Sequence, residues 1–267
     1  MSSEPKVGGP RESAETYPVT ATPAGWLDPT RDEVLIRYRE SVRQWHGFIR
    51  FLGLPHLRDN PDVPIDRLFI EPRLAGRHVP ADEPPEKWPA TQSVLETLSR
   101  GTWTLVLGDP GCGKSTLASW LAWQFARIDR SPWVERFGRF VPIPLVLREL
   151  RLAPDLTWEG LLASFLEHEV ARPLRGTDRL EQLVASGQAY FLVDGLDELA
   201  NLETRRALQR VIRQARHECP GCRWLLTSRI VWYAECPFLE SDEATLPVTP
   251  DLPEDPGLVW RDRKSVV

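Results

Sequence analysis

Short apolar runs alternate along the chain with longer segments in which apolar residues recur every three or four positions. A short run rich in β-branched residues predicts a buried strand, and the longer period predicts a helix with one apolar face. Strands that alternate with helices predict an α/β fold, with a parallel sheet sandwiched by helices. The predicted strands are Thr102–Leu107, Arg139–Leu150, Tyr190–Val193, Trp224–Leu226 and Ala244–Val248. Pro142 and Pro144 give the second strand an edge position or a late start.

The helical period predicts helices between these strands and one helix well before them. Those around the sheet are Pro89–Ser99, Leu117 to about Asp129, Leu156–Val170, Asp178–Ala185 and Glu203–Glu218. The earlier helix runs from about Pro29 to Leu52, with Asp28 or Thr30 as its candidate cap. One of its faces is rich in arginine, with Arg37, Arg39, Arg43 and Arg50. A charged outer face is ordinarily solvated, and a membrane-surface or nucleic-acid role is the alternative.

Composition divides the chain into four parts. We expect residues 1–25, which are polar and rich in Pro, Ser and Gly, to be disordered. Residues 26–86 are predicted to form the N-terminal helix and a Pro-rich linker, interrupted by a short strand at Ile65–Ile70. Within it, Ile70, Glu71 and Pro72 are weak candidates for adenine contact, and a purely structural strand fits them better. Residues 87–249 form the predicted core, and residues 250–267 a Pro- and Asp-rich tail.

Bulk properties exclude several classes of protein. A net charge of −5 and an isoelectric point near 5.7 provide no global field to recruit nucleic acid. No apolar run approaches the length that spans a bilayer, and the N-terminus lacks the apolar core of a signal peptide. Four cysteines in a chain of 267 residues are typical of reduced thiols, so we expect a cytoplasmic protein.

The segment Gly108–Thr116, GDPGCGKST, fits the phosphate-binding pattern G-x-x-x-x-G-K-[ST]. It lies between a predicted strand and a predicted helix, the context that separates this motif from an ordinary Gly-rich turn. Lys114 is expected to reach the β- and γ-phosphates, and the Ser115 hydroxyl to ligate Mg²⁺. The predicted nucleotide-binding residues are Gly108, Asp109, Pro110, Gly111, Cys112, Gly113, Lys114, Ser115 and Thr116.

Three charged side chains that follow later strands complete a candidate catalytic site. Asp194 follows four apolar residues, as the Mg²⁺-directing aspartate at a buried strand end does. Glu198, helped by Asp197, can accept a proton from the attacking water, although both acids also suit a helix start. Arg229 follows the fourth strand, where a cation can sense the γ-phosphate and stabilise transition-state charge. A surface arginine is the simpler alternative.

Cys219 and Cys222 are candidate zinc ligands. They form C-P-G-C, with His217 before them and Cys236 after. This spacing is compatible with zinc, but no second C-x-x-C pair exists in the sequence. The Pro-Gly inside the motif also has the chemistry of a turn between a helix and a strand. We therefore favour the turn.

Taken together, GDPGCGKST, LVDGLDEL and LLTSR resemble the NACHT family of signal-transducing (STAND) NTPases. The resemblance extends from about Trp88 to Val248. It implies a P-loop core with five parallel strands in the order 5-1-4-3-2. It also implies an ATP-driven switch that hydrolyses slowly and self-associates through the core, in bacteria commonly in antiviral defence. Family members continue into a lid, a winged helix and a sensor array, so this chain is expected to be truncated after the core.

The sequence thus predicts a core that binds ATP or ADP with Mg²⁺ and acts as an ATPase, with hydrolysis impaired by truncation. Its partners are expected to be a nucleotide, further copies of itself and an unidentified protein. Two alternatives stay open: a nucleotide-gated interaction module with negligible hydrolysis, and an AAA+-like ATPase. An AAA+-like ATPase needs a C-terminal lid that bears a sensor residue, and we do not find such a lid in the sequence.

Overall fold

The computed structural model describes residues 26–49, 63–75, 91–153, 155–199, 201–229, 233 and 258–260. Within these residues, helices and strands alternate from the first core strand onwards. The helices are α1 (Glu33–His46), α2 (Ile65–Leu68), α3 (Val94–Arg100), α4 (Lys114–Phe125), α5 (Pro132–Phe137), α6 (Trp158–Glu167), α7 (Arg179–Ala185) and α8 (Leu202–Glu218). The strands are β1 (Phe48–Ile49), β2 (Val63–Pro64), β3 (Leu74–Ala75), β4 (Thr91–Gln92), β5 (Trp103–Leu107), β6 (Val141–Val146), β7 (Ala189–Asp194), β8 (Arg223–Ser228) and β9 (Leu258–Trp260).

Four parallel strands form the centre of the molecule, in the spatial order β6, β7, β8, β5. Their carboxyl ends are level, because Val146 pairs with Asp194 and Leu107 pairs with Ser228. The short strand β9 pairs in parallel with the other side of β5. The predicted strand Ala244–Val248 lies outside the described residues. The α/β class and the parallel sheet predicted from the sequence are confirmed.

Aromatic contacts show that helices cover both faces of the sheet. Tyr190 and Phe191 are neighbours on β7, so their side chains point to opposite faces. Tyr190 packs against Phe125 at the end of α4, with 4.6 Å between ring centroids. Phe191 packs against Trp158 of α6 on the other face, at 5.4 Å. The tryptophans near the sheet are therefore packing residues.

Helix α1 covers the free edge of β6. Residues of β6 whose backbone groups point away from β7 include Pro142, whose carbonyl accepts a 2.7 Å hydrogen bond from the Tyr38 hydroxyl. Arg39 donates to the carbonyls of Gly138 and Phe140, just before this strand. Among the described strands, β6 is an edge strand, so the position predicted from its prolines is confirmed.

The N-terminal helix differs from its prediction at both ends and on one face. It begins after Asp32, whose carboxylate caps the Leu35 N–H, so neither Asp28 nor Thr30 is its cap. It ends at His46 instead of Leu52, because Gly47 follows. Arg39 was assigned to a solvated face but is only 2% exposed. Its burial lowers the pKa of the guanidinium to about 10.

Several other boundaries are set by local capping that periodicity does not reveal. The segment predicted as a strand at Ile65–Ile70 is a single helical turn, Ile65–Leu68, which begins directly after Pro64. Helix α3 begins only at Val94, because Ser93 and Glu96 form a capping box. Helix α4 ends at Phe125 and not near Asp129, and α6 ends at Glu167, where His168 turns to extended backbone.

Candidate functional site

The loop between β5 and α4 presents backbone donors to a cleft at the carboxyl edge of the sheet. Helix α4 starts at Lys114, and its first intrahelical bond runs from the Leu117 N–H to the Gly113 carbonyl. The N–H groups of Lys114, Ser115 and Thr116 precede that bond, and no side chain caps the helix. Donors of this kind, at the positive end of a helix dipole, fit a phosphate group.

Glycine is required at two turns of the loop. Gly111 has a φ of +79° and Gly113 a φ of +90°, the left-handed region that residues with a Cβ avoid. These two conformations turn the chain from the end of β5 into the first turn of α4. The loop pattern read from the sequence therefore has a direct backbone cause.

Lys114 lies across this loop. Its Nζ donates to the carbonyls of Gly108 and Asp109, at 2.9 and 3.0 Å, and lies 3.7 Å from the Cys112 sulfur. Gly108 is itself crowded, since a Cβ there would lie 2.4 Å from that sulfur. Gly108, Asp109 and Cys112 thus shape the loop and hold the lysine, while the remaining loop residues line the cleft.

Asp194 is the last residue of β7 and is held by its neighbour strand. The Thr227 hydroxyl on β8 donates a 2.6 Å hydrogen bond to Asp194 Oδ1 and accepts one from the Gly195 N–H at 3.0 Å. Asp194 is only 3% exposed, so this contact fixes its orientation in a site that water hardly reaches. An oriented, buried carboxylate that lines the same cleft as Ser115 suits Mg²⁺, which prefers oxygen ligands.

Asp197 and Arg229, which both line the cleft, form a bidentate contact. The Asp197 carboxylate lies 2.7 Å from Arg229 Nε, and it also accepts the Arg229 backbone N–H at 3.0 Å. The aspartate side chain is 5% exposed and the arginine side chain 44% exposed. Asp197 therefore anchors the base of Arg229, whose outer part reaches the cleft.

Glu198 contacts Arg148, a cation that was not predicted from the sequence to belong to the site. It ends the 3₁₀ turn Leu196–Glu198 after β7, and Gly195, with a φ of +88°, makes room for its carboxylate. Both carboxylate oxygens accept from Nη1 of Arg148, at 3.2 and 3.3 Å. The same nitrogen lies 4.0 Å from Asp194 Oδ2. Arg148 therefore stands between two of the predicted site carboxylates.

One cleft of about 250 Å³ brings the predicted residues together. Its wall contains both the loop and the charged groups that follow β7 and β8: Pro110, Gly111, Gly113, Lys114, Ser115, Thr116, Asp194, Gly195, Asp197, Glu198, Thr227 and Arg229. A neighbouring cavity of about 160 Å³ shares Ser115, Thr116 and Asp194 with this cleft, and it also contacts Arg148. The residues predicted for the loop, the metal and the catalytic groups thus converge at one end of the sheet.

Two residues of this site were missed from the sequence, Thr227 and Arg148. Thr227 was read only as part of the run before Arg229, and Arg148 only as part of the second strand. Both act across neighbouring strands, and pairing in the sheet is a tertiary feature. The sequence indicates these two residues only by their position. Each follows or ends an apolar run, at the carboxyl edge of the sheet where ligands bind.

The alternative sites have little support in the described residues. Cys222 is buried, its sulfur lies 3.5 Å from the Val184 carbonyl, and burial raises its pKa to about 12. A metal-binding thiol needs the opposite shift. In this part of the chain no group of three or more His, Cys, Asp or Glu side chains is placed to hold a metal, and Cys236 lies outside it. None of the helices described is long and apolar enough to cross a membrane.

A parallel sheet whose β5 leads through a glycine loop into α4, beside an acidic strand end, defines a P-loop NTPase. Residues 102–239, more than half of the chain, match the model of the NACHT domain. The chain therefore belongs to the NACHT family, which makes it a P-loop NTPase of the STAND type, and the resemblance seen in the sequence is confirmed. No curated protein matches the chain.

Proposed function

We propose that this protein binds Mg-ATP in the cleft and hydrolyses it slowly, as a nucleotide-dependent signalling switch. One observation carries the proposal: the loop with Lys114 and Ser115 faces the same cleft as Asp194, Glu198 and Arg229. Family membership supports nucleotide binding, and the oxygen groups of Ser115 and Asp194 favour Mg²⁺. When bound, Mg²⁺ supplies charge that offsets the β- and γ-phosphate oxygens.

The chain's own groups divide the work by their positions. The loop N–H groups and Lys114 hold the phosphates, and Ser115 and Asp194 hold the metal. Glu198 accepts the proton of the attacking water while the water oxygen bonds to the γ-phosphorus and the bond to ADP breaks. Arg229 offsets the negative charge of the phosphoryl group. Asp197 contacts Arg229, and this contact supports a role for Asp197 in anchoring that arginine next to the base Glu198.

The switch itself is proposed on the family's architecture. We take β9, which lies in the segment predicted as a tail and not at Ala244–Val248, as the fifth strand beside β5. This gives the order 5-1-4-3-2 and extends the proposed core beyond residue 249. Self-association of the ATP-bound core and a role in defence belong to the same proposal. Both rest on membership of the NACHT family.

One specific observation favours a second candidate, a nucleotide-gated interaction module with negligible hydrolysis. Both carboxylate oxygens of Glu198 accept from Arg148, so the proposed base is engaged. A carboxylate held by this contact can accept a proton only from a water molecule within hydrogen-bond reach. Hydrolysis is slow if the attacking water lies elsewhere.

Single-turnover hydrolysis of ATP by the wild type and Glu198→Gln separates the two candidates. A general base contributes roughly 10²- to 10⁴-fold, so the variant should be slower by that factor while it still binds Mg-ATP. Glu203→Gln, an exposed glutamate at the start of α8, is the matched control and should hydrolyse like the wild type. Equal rates for the wild type and Glu198→Gln would reject catalysis by this carboxylate and favour the interaction module.

A further inference from the structure

Arg148 approaches the acids of the site from the turn after β6, whereas the residues that line the nucleotide cleft come from the other strands and loops. It lies in the 3₁₀ turn Leu147–Glu149, directly after β6. Val146, at the end of β6, is level with Asp194 on β7. Arg148 is therefore two residues beyond the level of Asp194, on the flank of the cleft away from Arg229.

The contacts of Arg148 centre on carboxylates. A single nitrogen, Nη1, lies 3.2 and 3.3 Å from the two oxygens of Glu198 and 4.0 Å from Asp194 Oδ2. Asp197, the third acid of this loop, is paired instead with Arg229. Within the described residues, each acid of the 3₁₀ turn after β7 thus has its own arginine. The two arginines hold the turn from opposite sides.

The negative charges near Arg148 indicate what this residue does. Asp194 and Glu198 are two acids four positions apart, and one guanidinium approaches both. Like charges in a partly dry site repel each other, and a cation between them lowers that cost and sets the directions of both groups. Charge-assisted hydrogen bonds to both oxygens of Glu198 restrict rotation of its carboxylate.

Neighbouring contacts hold the turn in place. Glu149 accepts from the His168 ring at 3.1 Å, and this bond, more than any other cause, lowers the pKa of Glu149. The His168 ring packs edge-on against Trp45 of α1, at 4.8 Å. Arg148 therefore projects from a turn that is tied to the N-terminal helix. This location suits a residue that fixes a neighbour in place.

We propose that Arg148 is a positioning residue of the hydrolytic site, which aims the Glu198 carboxylate and separates its charge from that of Asp194. The inference rests on the proposed function, since Glu198 is the base in that account. It assigns Arg148 no contact with substrate. Its loss leaves the phosphate loop, Ser115 and Asp194 intact, so it slows the chemical step while nucleotide affinity is retained.

The first test compares Arg148→Gln, Arg148→Lys and Arg151→Gln in single-turnover hydrolysis and in calorimetric binding of Mg-ATP. Misplacement of a catalytic group costs up to about 100-fold, so Arg148→Gln should be roughly 10- to 100-fold slower. Arg148→Lys keeps the charge without the planar fork, so part of the rate should return. Arg151 is an exposed arginine three positions away, and its variant should behave like the wild type. Binding should stay within about threefold of the wild type in every variant.

The second test places Arg148→Gln in a Glu198→Gln background. If Arg148 acts through Glu198, the double variant should be no slower than Glu198→Gln alone, within about twofold. The melting temperatures of the wild type, the two single variants and the double variant, measured without nucleotide, give a readout independent of activity. Arg148→Gln should lower the melting temperature more in the wild-type background than in the Glu198→Gln background, where only the 4.0 Å contacts with Asp194 and Glu149 are left to lose.

Three results overturn the inference: a wild-type or faster rate for Arg148→Gln, an equal loss in both backgrounds, or a parallel loss of Mg-ATP affinity. If the wild type itself shows no hydrolysis above Glu198→Gln, it is the hydrolytic function that fails. The melting temperatures of the ligand-free proteins then decide the coupling of Arg148 to Glu198 by themselves.

Discussion

A single hydroxyl, that of Thr227, fixes the acid at the end of β7. Thr227 accepts the Gly195 N–H and donates to Asp194 Oδ1, so it joins the ends of β7 and β8. Thr227 is fully buried, and Asp194 has little access to water to replace the bond. A buried acceptor that loses its donor keeps the full cost of its desolvation. The direction of the Asp194 carboxylate therefore depends on this threonine.

Thr227→Val should weaken Mg²⁺-dependent nucleotide binding, because it removes the hydroxyl that orients Asp194. Loss of a group that orients a metal ligand typically costs about 10- to 100-fold in affinity. Calorimetric titration of ATP with and without Mg²⁺ measures the effect, which should appear only with the metal. Thr104→Val changes a threonine that is 2% exposed in β5, and serves as the matched control. Equal Mg²⁺ dependence in Thr227→Val and the wild type would contradict this role.

At the scale of elements, α1 is part of the core and not an appendage to it. Tyr38, Leu35 and Val42 are fully buried on this helix. The Tyr38 hydroxyl satisfies the Pro142 carbonyl, which points away from β7 at the edge of the sheet. The same helix approaches the site through Trp45 and His168. Its placement against β6 thus affects both stability and the turn that carries Arg148.

Tyr38→Phe should destabilise the protein and spare the site. The variant leaves the buried Pro142 carbonyl without its donor, at a cost of about 1–3 kcal/mol. Urea denaturation should show a lower midpoint with an unchanged slope. Mg-ATP affinity should stay at the wild-type value, because Tyr38 lies against the opposite end of β6 from Arg148. An unchanged midpoint would show that water replaces the hydroxyl and that the edge is not closed by α1.

The phosphate loop and the acids after β7 could be predicted because their chemistry is local. Gly111 and Gly113 must adopt positive φ within a few residues of the strand, and the sequence shows this as a fixed spacing. Asp194 follows an apolar run directly. The helix and strand types around the loop were likewise set by patterns of short range, and the parallel sheet followed from their alternation.

Other features depended on partners distant in the sequence. Arg148 contacts Glu198 fifty positions away, and Arg39 reaches carbonyls about a hundred positions away. Such pairs follow from the order of strands and the docking of α1, which no local pattern contains. The helix starts at Glu33 and Val94 were missed for another reason: several cap residues compete over a few positions, and packing selects among them.

At the scale of the whole molecule, the sheet acts as a frame that collects distant residues at one edge. The four strands β5 to β8 end at the same level, and each leads into a group discussed above: Lys114, Arg148, Asp194 and Arg229. Aromatic packing on both faces holds the strands in this register. Any ligand that meets the loop therefore meets the charged groups as well.

The most direct test of the account is calorimetric titration of Mg-ATP into the wild type and Lys114→Ala. Lys114 lies inside the loop and lines the cleft, and in the proposed function it supplies the charge that holds the phosphates. Its loss should therefore abolish measurable binding while the fold persists. Arg130→Ala removes an exposed cation from the turn after α4 and should bind like the wild type. Unchanged affinity in Lys114→Ala, or no binding of nucleotide by the wild type, would contradict the assignment of this cleft.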